Sequence, residues 1–299
     1  MKGIILAGGS GTRLYPLTVV TSKQLLPVYD KPMIYYPLSA LMLAGVRDIL
    51  IITREEDEKA FRHLLGDGSQ FGVHFSYVNQ PKPEGIAQAL MLGESFIGDD
   101  TCALILGDNI YYGSDFTDVL ETARINTEQG VATVFGYYVS DPNRFGVVEF
   151  DKDFRVLSVE EKPEDPKSNY AITGLYFYPR GVTELVKSVS PSVRGEYEIT
   201  TLNDMYLKQG NLKVSVLGRG FTWFDSGTMD SLMDAADFVR MIEQRQGVMV
   251  CAPEEIAFWQ GWISEEELKQ SADRYGNSSY GKHLKSVANG RFVSTARKK

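Results

Sequence analysis

The stretch Lys2-Gly3-Ile4-Ile5-Leu6-Ala7-Gly8-Gly9-Ser10-Gly11-Thr12-Arg13 decides the fold. Its first half is a short apolar run with branched residues, the pattern of a buried strand, and it is too short for the apolar core of a secretory leader. Its second half leaves that strand through three glycines in four positions, which lets the backbone take positive φ angles and brings N–H groups close to an anion with no Cβ in the way. Thr12 adds a hydroxyl donor, and the planar fork of Arg13 suits phosphate oxygens better than a lysine point charge. Further on, Lys23 opens the run Lys-Gln-Leu-Leu-Pro. Residues 1–33 carry four cations (Lys2, Arg13, Lys23, Lys31) against one anion (Asp30) in a chain of net charge −8, so positive charge is expected to gather at the loop.

The pattern reads as a nucleoside-triphosphate site. Neither better-known glycine loop fits: no Gly-Lys-Ser/Thr follows, which excludes the P-loop, and Leu14 stands where a Gly-x-Gly-x-x-Gly motif begun at Gly9 needs its third glycine. A dehydrogenase is thereby disfavoured. Taken alone, the glycines could equally serve a tight strand-to-helix turn; Arg13 and Lys23 tip the reading towards phosphate.

With 299 residues, 43% hydrophobic and 23% charged, the chain can bury a large core and lies near the upper limit for one domain. One main unit over residues 1–245 is expected, with a dependent helical appendage and basic tail over residues 246–299. No apolar stretch approaches the roughly 20 residues of a membrane span, so a cytoplasmic setting without a membrane partner is expected. The acidic balance disfavours nucleic acid, although residues 274–299 hold seven cations and no acid; that tail reads as a solvated end. Cys102 and Cys251 lack His or Cys neighbours at ligand spacing and read as small buried residues, not as a disulfide or zinc site.

Strand-like and helix-like runs alternate through the first half, which predicts a parallel sheet covered by helices on both faces. Asp48-Ile49-Leu50-Ile51-Ile52-Thr53, His74-Phe75-Ser76-Tyr77-Val78 and Cys102-Ala103-Leu104-Ile105-Leu106 read as its further strands. Phe116, Val119, Leu120 and Ala123 have the spacing of a buried helix face after the cap candidates Ser114-Asp115. Residues 131–150 and 156–178, rich in β-branched and aromatic side chains, predict antiparallel additions. Thr228 caps a predicted helix with Asp230 in its first turn, running towards Arg245, and residues 253–272 read as helical. The fold class is therefore α/β: a Rossmann-like, mixed, mainly parallel sheet flanked by helices, with a small helical C-terminal appendage.

Asp108 follows a buried strand in Leu106-Gly107-Asp108-Asn109, where open α/β sheets bind their ligands. It is a metal-ligand candidate, and Asp225 in Trp223-Phe224-Asp225-Ser226-Gly227-Thr228 is the best second acid. Either aspartate alone would ordinarily serve a turn or a cap. In Glu160-Glu161-Lys162-Pro163 the lysine could clamp a sugar phosphate, or simply mark an exposed mixed-charge strand end. Gln80 could hydrogen-bond a nucleobase edge while Gly85 allows its close approach.

These motifs, in order and over nearly the whole chain to about Leu284, closely resemble the sugar nucleotidylyltransferases. The resemblance implies thymidylyl transfer from dTTP to glucose 1-phosphate. It implies that Gly8, Gly11, Thr12 and Arg13 hold the triphosphate, with Lys23 and Gln24 completing that pocket, and that Gln80 and Gly85 read the thymine. Asp108 and Asp225 are implied ligands of Mg²⁺, Lys162 the clamp on the sugar phosphate, and Asn109, Gly146, Glu161 and Gly174 the sugar's surroundings, with Arg194 near phosphate. Arg13, Lys23, Lys162, Asp108 and Asp225 form the implied catalytic set. A homotetramer is implied too, with feedback inhibition by a dTDP-sugar at a second, subunit-interface site near Arg219 and residues 251–256. A uridylyl-, cytidylyl- or adenylyltransferase, or a noncatalytic nucleotide-sugar sensor, are the competing readings. No histidine is expected to act: His63, His74 and His283 are scattered and read as structural.

Overall fold

The structure, a computed structural model, describes residues 1–291. Its main sheet has nine strands: β1 (Lys2–Ala7), β2 (Asp48–Thr53), β3 (His74–Asn79), β4 (Cys102–Leu106), β5 (Ala132–Tyr138), β6 (Gly146–Phe150), β7 (Val156–Glu161), β8 (Tyr170–Tyr178) and β9 (Leu212–Leu217). The order is β7-β6-β8-β4-β1-β2-β3, with β5 bridging β8 and β9. β1 is central, and its Ile4 and Ile5 are fully buried, worth about 1.5–3 kcal/mol each. Such continuous apolar runs suit strands covered on both faces. Only β7 and β8 run against the other strands, so the sheet is mainly parallel with antiparallel additions in the predicted region.

Register sets where the site lies. Lys2–Ala7 pairs in step with Asp48–Thr53, and Leu6 pairs with Leu106. The segments after β1, β2 and β4 therefore emerge on one rim. Just past β4, Asn109–Tyr112 forms a separate antiparallel ladder with Thr222–Asp225, which sets Asp225 opposite Asn109 and Trp223 opposite Tyr111.

The helix Phe116–Glu128 buries Phe116, Leu120 and Ala123, as their spacing predicts. Its expected cap does not form through the side chain: Asp115 holds the N-cap position without a capping hydrogen bond. Ring stacking of Phe116 on Tyr111, with centroids 5.3 Å apart, anchors the helix start instead. Thr228 does cap the helix Met229–Gln246, in a capping box with Ser231, and Gly247 ends it at φ 69°.

Beyond that helix lie three more, Pro253–Trp259, Glu265–Arg274 and Ser279–Ala288. The last corrects the reading of the basic tail as a solvated end, because Tyr280, Leu284, Val287 and Ala288 are buried in the same core cluster as Tyr35 and Leu41. Glu254, itself buried, accepts hydrogen bonds from the hydroxyls of Tyr275 (2.7 Å) and Tyr280 (2.6 Å), and His283 pairs with Glu255 at 2.6 Å. Composition misleads here because the cations occupy the outer face of a helix whose inner face is apolar. Residues 292–299 of the tail lie outside the described residues. Cys102 is fully buried, and burial pushes the Cys251 thiol up to about 12. Among the described residues no helix is long and apolar enough to cross a membrane.

Candidate active site

The rim carries a cavity of about 350 Å³. Arg13, Lys23, Gln24, Asp108, Asn109, Gly146, Glu161, Lys162, Gly174 and Asp225 line it together. The sequence reading drew these residues from seven separate stretches, and the sheet gathers them. Gly8, Gly11, Thr12, Gln80, Gly85 and Arg194 do not line this cavity.

The glycine loop works differently from expectation. Of its three glycines only Gly11 takes a positive φ, 63°, and it opens the short 3₁₀ turn Thr12–Leu14 while its carbonyl accepts the Thr18 hydroxyl at 2.7 Å. Gly8 is required by crowding instead: a Cβ there would collide with the side-chain oxygen of Gln80. Gly9, which is not among the implied triphosphate contacts, lines the cavity beside Lys23. Gly85 does turn at positive φ, 105°, pressed against the backbone of Tyr197.

The cations also divide. Lys2 pairs with Asp48 at 3.1 Å, and Lys31 is buried with Asp30 (2.5 Å) and Glu243 (2.9 Å). Neither lines the cavity, so only Arg13 and Lys23 supply positive charge from this part of the chain. Lys23 makes a close ion pair with Asp108. The guanidinium of Arg13 lies over Gly227, where a Cβ would stand 3.1 Å from its Cζ and 3.2 Å from Asp225 Oδ1. Gly227 thus lets an exposed arginine lie beside a half-buried aspartate.

The two aspartates sit in opposite electrostatic states. Burial works to raise Asp108, but the Lys23 ammonium and the Asn109 amide outweigh it and hold the carboxyl below its ordinary range. Burial, and then the charge of Asp108, push Asp225 above its ordinary range, against the opposing pull of Lys23, Arg13 and Arg144. Two carboxylates that disfavour each other's ionisation in one cleft are a fitting pair for a divalent cation. Magnesium characteristically takes one or two carboxylates plus phosphate oxygens and water, so the donor set fits that ion.

Asn109 is held from three sides. Its Oδ1 accepts from Trp223 Nε1 (2.6 Å), the Gly174 N–H (3.0 Å) and the Tyr111 hydroxyl (3.4 Å), while its Nδ2 donates to Asp108 at 3.1 Å. Gly174 is required by this closeness, since a Cβ there would come 2.7 Å from Asn109 Oδ1. On the opposite wall Lys162 takes φ 43°, with its ammonium 3.8 Å from Glu161. Glu161 accepts the Thr200 hydroxyl at 2.5 Å and lies 3.5 Å from Arg194. Arg194 therefore reaches the cleft only through Glu161; it also pairs with Glu196 at 3.0 Å.

Sequence reasoning missed Arg144, Phe145, Tyr176, Thr200 and Trp223 as lining residues. Trp223 was legible from the alternation that puts it on the same strand face as Asp225, whereas Thr200, on the helix Ile199–Lys208, carried no signal. A second cavity, of about 260 Å³, lies across the Asn109–Tyr112 ladder and is lined by Tyr111, Phe116, Cys251, Glu255, Ile256 and Trp259 among others. Residues 251–256 thus contribute to a real hollow, while Arg219 does not line it.

Comparison with known proteins accords with this architecture. The sequence signature of the family described as nucleotidyl transferase matches residues 2–241. A glucose-1-phosphate thymidylyltransferase of Neisseria meningitidis is 57% identical over 284 residues, 95% of this chain and 98% of that protein. Among solved structures, a Bacillus anthracis protein assigned to the glucose-1-phosphate thymidylyltransferases, in complex with a sucrose, superposes with TM-score 0.73 at 45% identity, covering 80% of this chain and 95% of its own. A UDP-glucose pyrophosphorylase complexed with UDP-glucose shares the fold at 24% identity, with TM-score 0.71 over 80% of this chain and 98% of its own. A match spanning most of the chain, with the strand-end acids and the glycine loop on one rim, makes the assignment plain: the chain belongs to the nucleotidyl transferase family.

Proposed function

We propose that this protein transfers a thymidylyl group from dTTP to α-D-glucose 1-phosphate, giving dTDP-glucose and pyrophosphate, in the cytoplasm and at the head of dTDP-sugar synthesis. The observation that carries the proposal is the meeting of Arg13, Lys23 and Lys162 with Asp108 and Asp225 in one cleft. Such a set suits two polyanionic substrates.

The sugar phosphate is already an anionic nucleophile, so the reaction needs no general base; it needs two negative groups brought into line at the α-phosphorus. Positioning and charge neutralisation do this work. In this reading the loop Gly8, Gly11 and Thr12 cradles the triphosphate with Arg13, Lys23 and Gln24, and Arg13 stabilises the departing pyrophosphate. Lys162 holds the phosphate of glucose 1-phosphate, with Arg194 steadying Glu161 behind it. Asn109, Gly146, Glu161 and Gly174 surround the sugar, and Gln80 and Gly85 meet the thymine. Asp108 and Asp225 would hold Mg²⁺, which neutralises charge on the α-phosphate region when bound. Lys23, paired with Asp108 in the free protein, is available to turn towards phosphate once that carboxylate takes a metal. The second cavity fits a feedback site for a dTDP-sugar in a homotetramer.

The test is pyrophosphate release with glucose 1-phosphate and Mg²⁺, comparing dTTP, UTP, CTP and ATP at equal concentration, with an EDTA control. EDTA-sensitive release favouring dTTP is expected. Preference for another nucleotide refutes the base assignment, and no release with any refutes the enzyme reading.

A further inference from the structure

Gln80 follows β3 on the same rim as the glycine loop and is only 5% exposed. Its Oε1 occupies the space over Gly8 that any Cβ would fill, and no hydrogen bond to that oxygen forms among the described residues. A glutamine amide can in principle face either way round. Here its orientation is dictated from behind. The main-chain N–H of Glu84 can only donate, and it bonds Gln88 Oε1 at 3.1 Å. The Glu84 carboxylate can only accept, and it takes Gln88 Nε2 at 2.8 Å. These two fixed ends leave Gln88 one orientation, with Oε1 turned to Gln80. Gln80 must answer with its donor, Nε2, at 2.6 Å. Its acceptor, Oε1, is left facing the loop.

We infer that Glu84 and Gln88 form a specificity lock that fixes Gln80 with its acceptor, never its donor, turned to the glycine loop at the edge of the cavity, where a pyrimidine would meet it. This deepens the reading of Gln80 as the base contact and rests on it. Thymine and uracil carry N3–H, a donor that an acceptor meets. Cytosine carries a bare N3, an acceptor that would face another acceptor. The lock therefore rejects cytosine and is blind to the 5-methyl group. An acceptor opposed to an acceptor in a dry site costs about 10- to 100-fold in binding, the usual range for an unpaired buried polar group. Gln88 and Glu84 are positioning residues, acting through Gln80.

The experiment compares kcat/KM for dTTP, dUTP and dCTP, each with glucose 1-phosphate, in the full-length protein and its variants. Gln88→Met keeps the side-chain length and removes the lock; the dTTP to dCTP ratio is expected to fall about 10-fold or more, with the dTTP to dUTP ratio unmoved. The double exchange Glu84→Gln with Gln88→Glu restores an acceptor at position 88 and is expected to restore the ratio. A purely structural role would lower all three nucleotides together and would not be rescued by the exchange. Should Gln88→Met fail to fold, Glu84→Ala at an exposed loop position is expected to lower the same ratio by a smaller factor. An unchanged ratio in these lock variants, while Gln80→Ala collapses it, overturns the lock and leaves the base contact standing. An unchanged ratio in Gln80→Ala removes the base contact itself, and the lock with it.

Discussion

Two lysines eight residues apart, Lys23 and Lys31, meet buried carboxylates in two different ways. Lys31 is closed in: its side chain is 1% exposed, both Asp30 and Glu243 reach it, and it lies over the ring of Tyr36 at 5.2 Å. Glu243 also accepts the Val250 N–H at 2.9 Å, tying the end of a long helix to the segment before Cys251. Lys23 stands at an open cavity with one close carboxylate partner, Asp108, while Asp225 nearby is held above its ordinary range by burial and by Asp108. The first cluster is not fully satisfied, since Asp30 Oδ2 has no hydrogen-bond partner among the described residues and burial raises the Glu243 carboxyl, but its three residues line neither cavity and it acts as a staple. The second keeps a carboxylate whose charge the protein alone does not settle, and that surplus is what a substrate or metal can answer. Buried charge by itself does not distinguish a site from a scaffold; the presence of an unanswered charge facing a hollow does.

The contrast can be broken most directly at Asp225. Asp225→Asn is expected to cut kcat/KM roughly a thousandfold, the scale of losing a metal ligand's charge stabilisation, while the melting temperature holds or rises because a repelling buried carboxylate is gone. A stability loss with activity kept would reverse the assignment of the two clusters. Lys31→Ala is expected to do the opposite, costing about 3–4 kcal/mol in urea unfolding because two carboxylates lose their cation in a dry setting, with kcat of the folded fraction little changed. Arg13→Ala sharpens the picture of the open cluster: kcat is expected to drop about a hundredfold with little change in KM for dTTP, and an equal loss in both would deny it a transition-state role.

The smallest effect is sought at Glu254, a closed acid without a close cation. Burial raises its carboxyl above the ordinary range, even though the hydroxyls of Tyr280 and Tyr275 oppose the shift. The folded protein therefore holds this proton at pH values where the unfolded chain has released it, so its stability contribution is present below the unfolded value and drains away as pH rises through the folded one. Glu254→Gln is expected to remove that slope, so that the difference in melting temperature between variant and parent grows in the variant's favour by about 2 °C from pH 4.5 to pH 8. A difference that does not change with pH would show that Glu254 is not the titrating group.

Much of this was legible beforehand, for identifiable reasons. β1, β2 and β4 are buried on both faces, so their sequences are almost uniformly apolar and stand out from their flanks. Asp108 was legible because a strand end fixes its place on the rim. The division between Lys23 and Lys31 was not, because it depends on Glu243, more than two hundred residues along the chain, and composition counts both lysines alike. The helix Ser279–Ala288 was hidden for a related reason: its buried face is narrow, with Tyr280, Leu284 and Val287 set among polar and basic residues. Gly8 read as a position for positive φ and close approach to an anion, and is instead a place where another side chain needs the room. Only the fold could say which cost a glycine avoids.

The two-stranded ladder after β4 is a partition one strand thick. Asn109 lines the first cavity and Tyr111 the second, although their side chains share one face of the strand, where the Tyr111 hydroxyl meets Asn109 at 3.4 Å. Anyone remodelling the protein meets this as a shared wall between two rooms: enlarging the second by trimming Tyr111 also withdraws one of the three donors that hold Asn109, so neither hollow can be refurnished without entering the other.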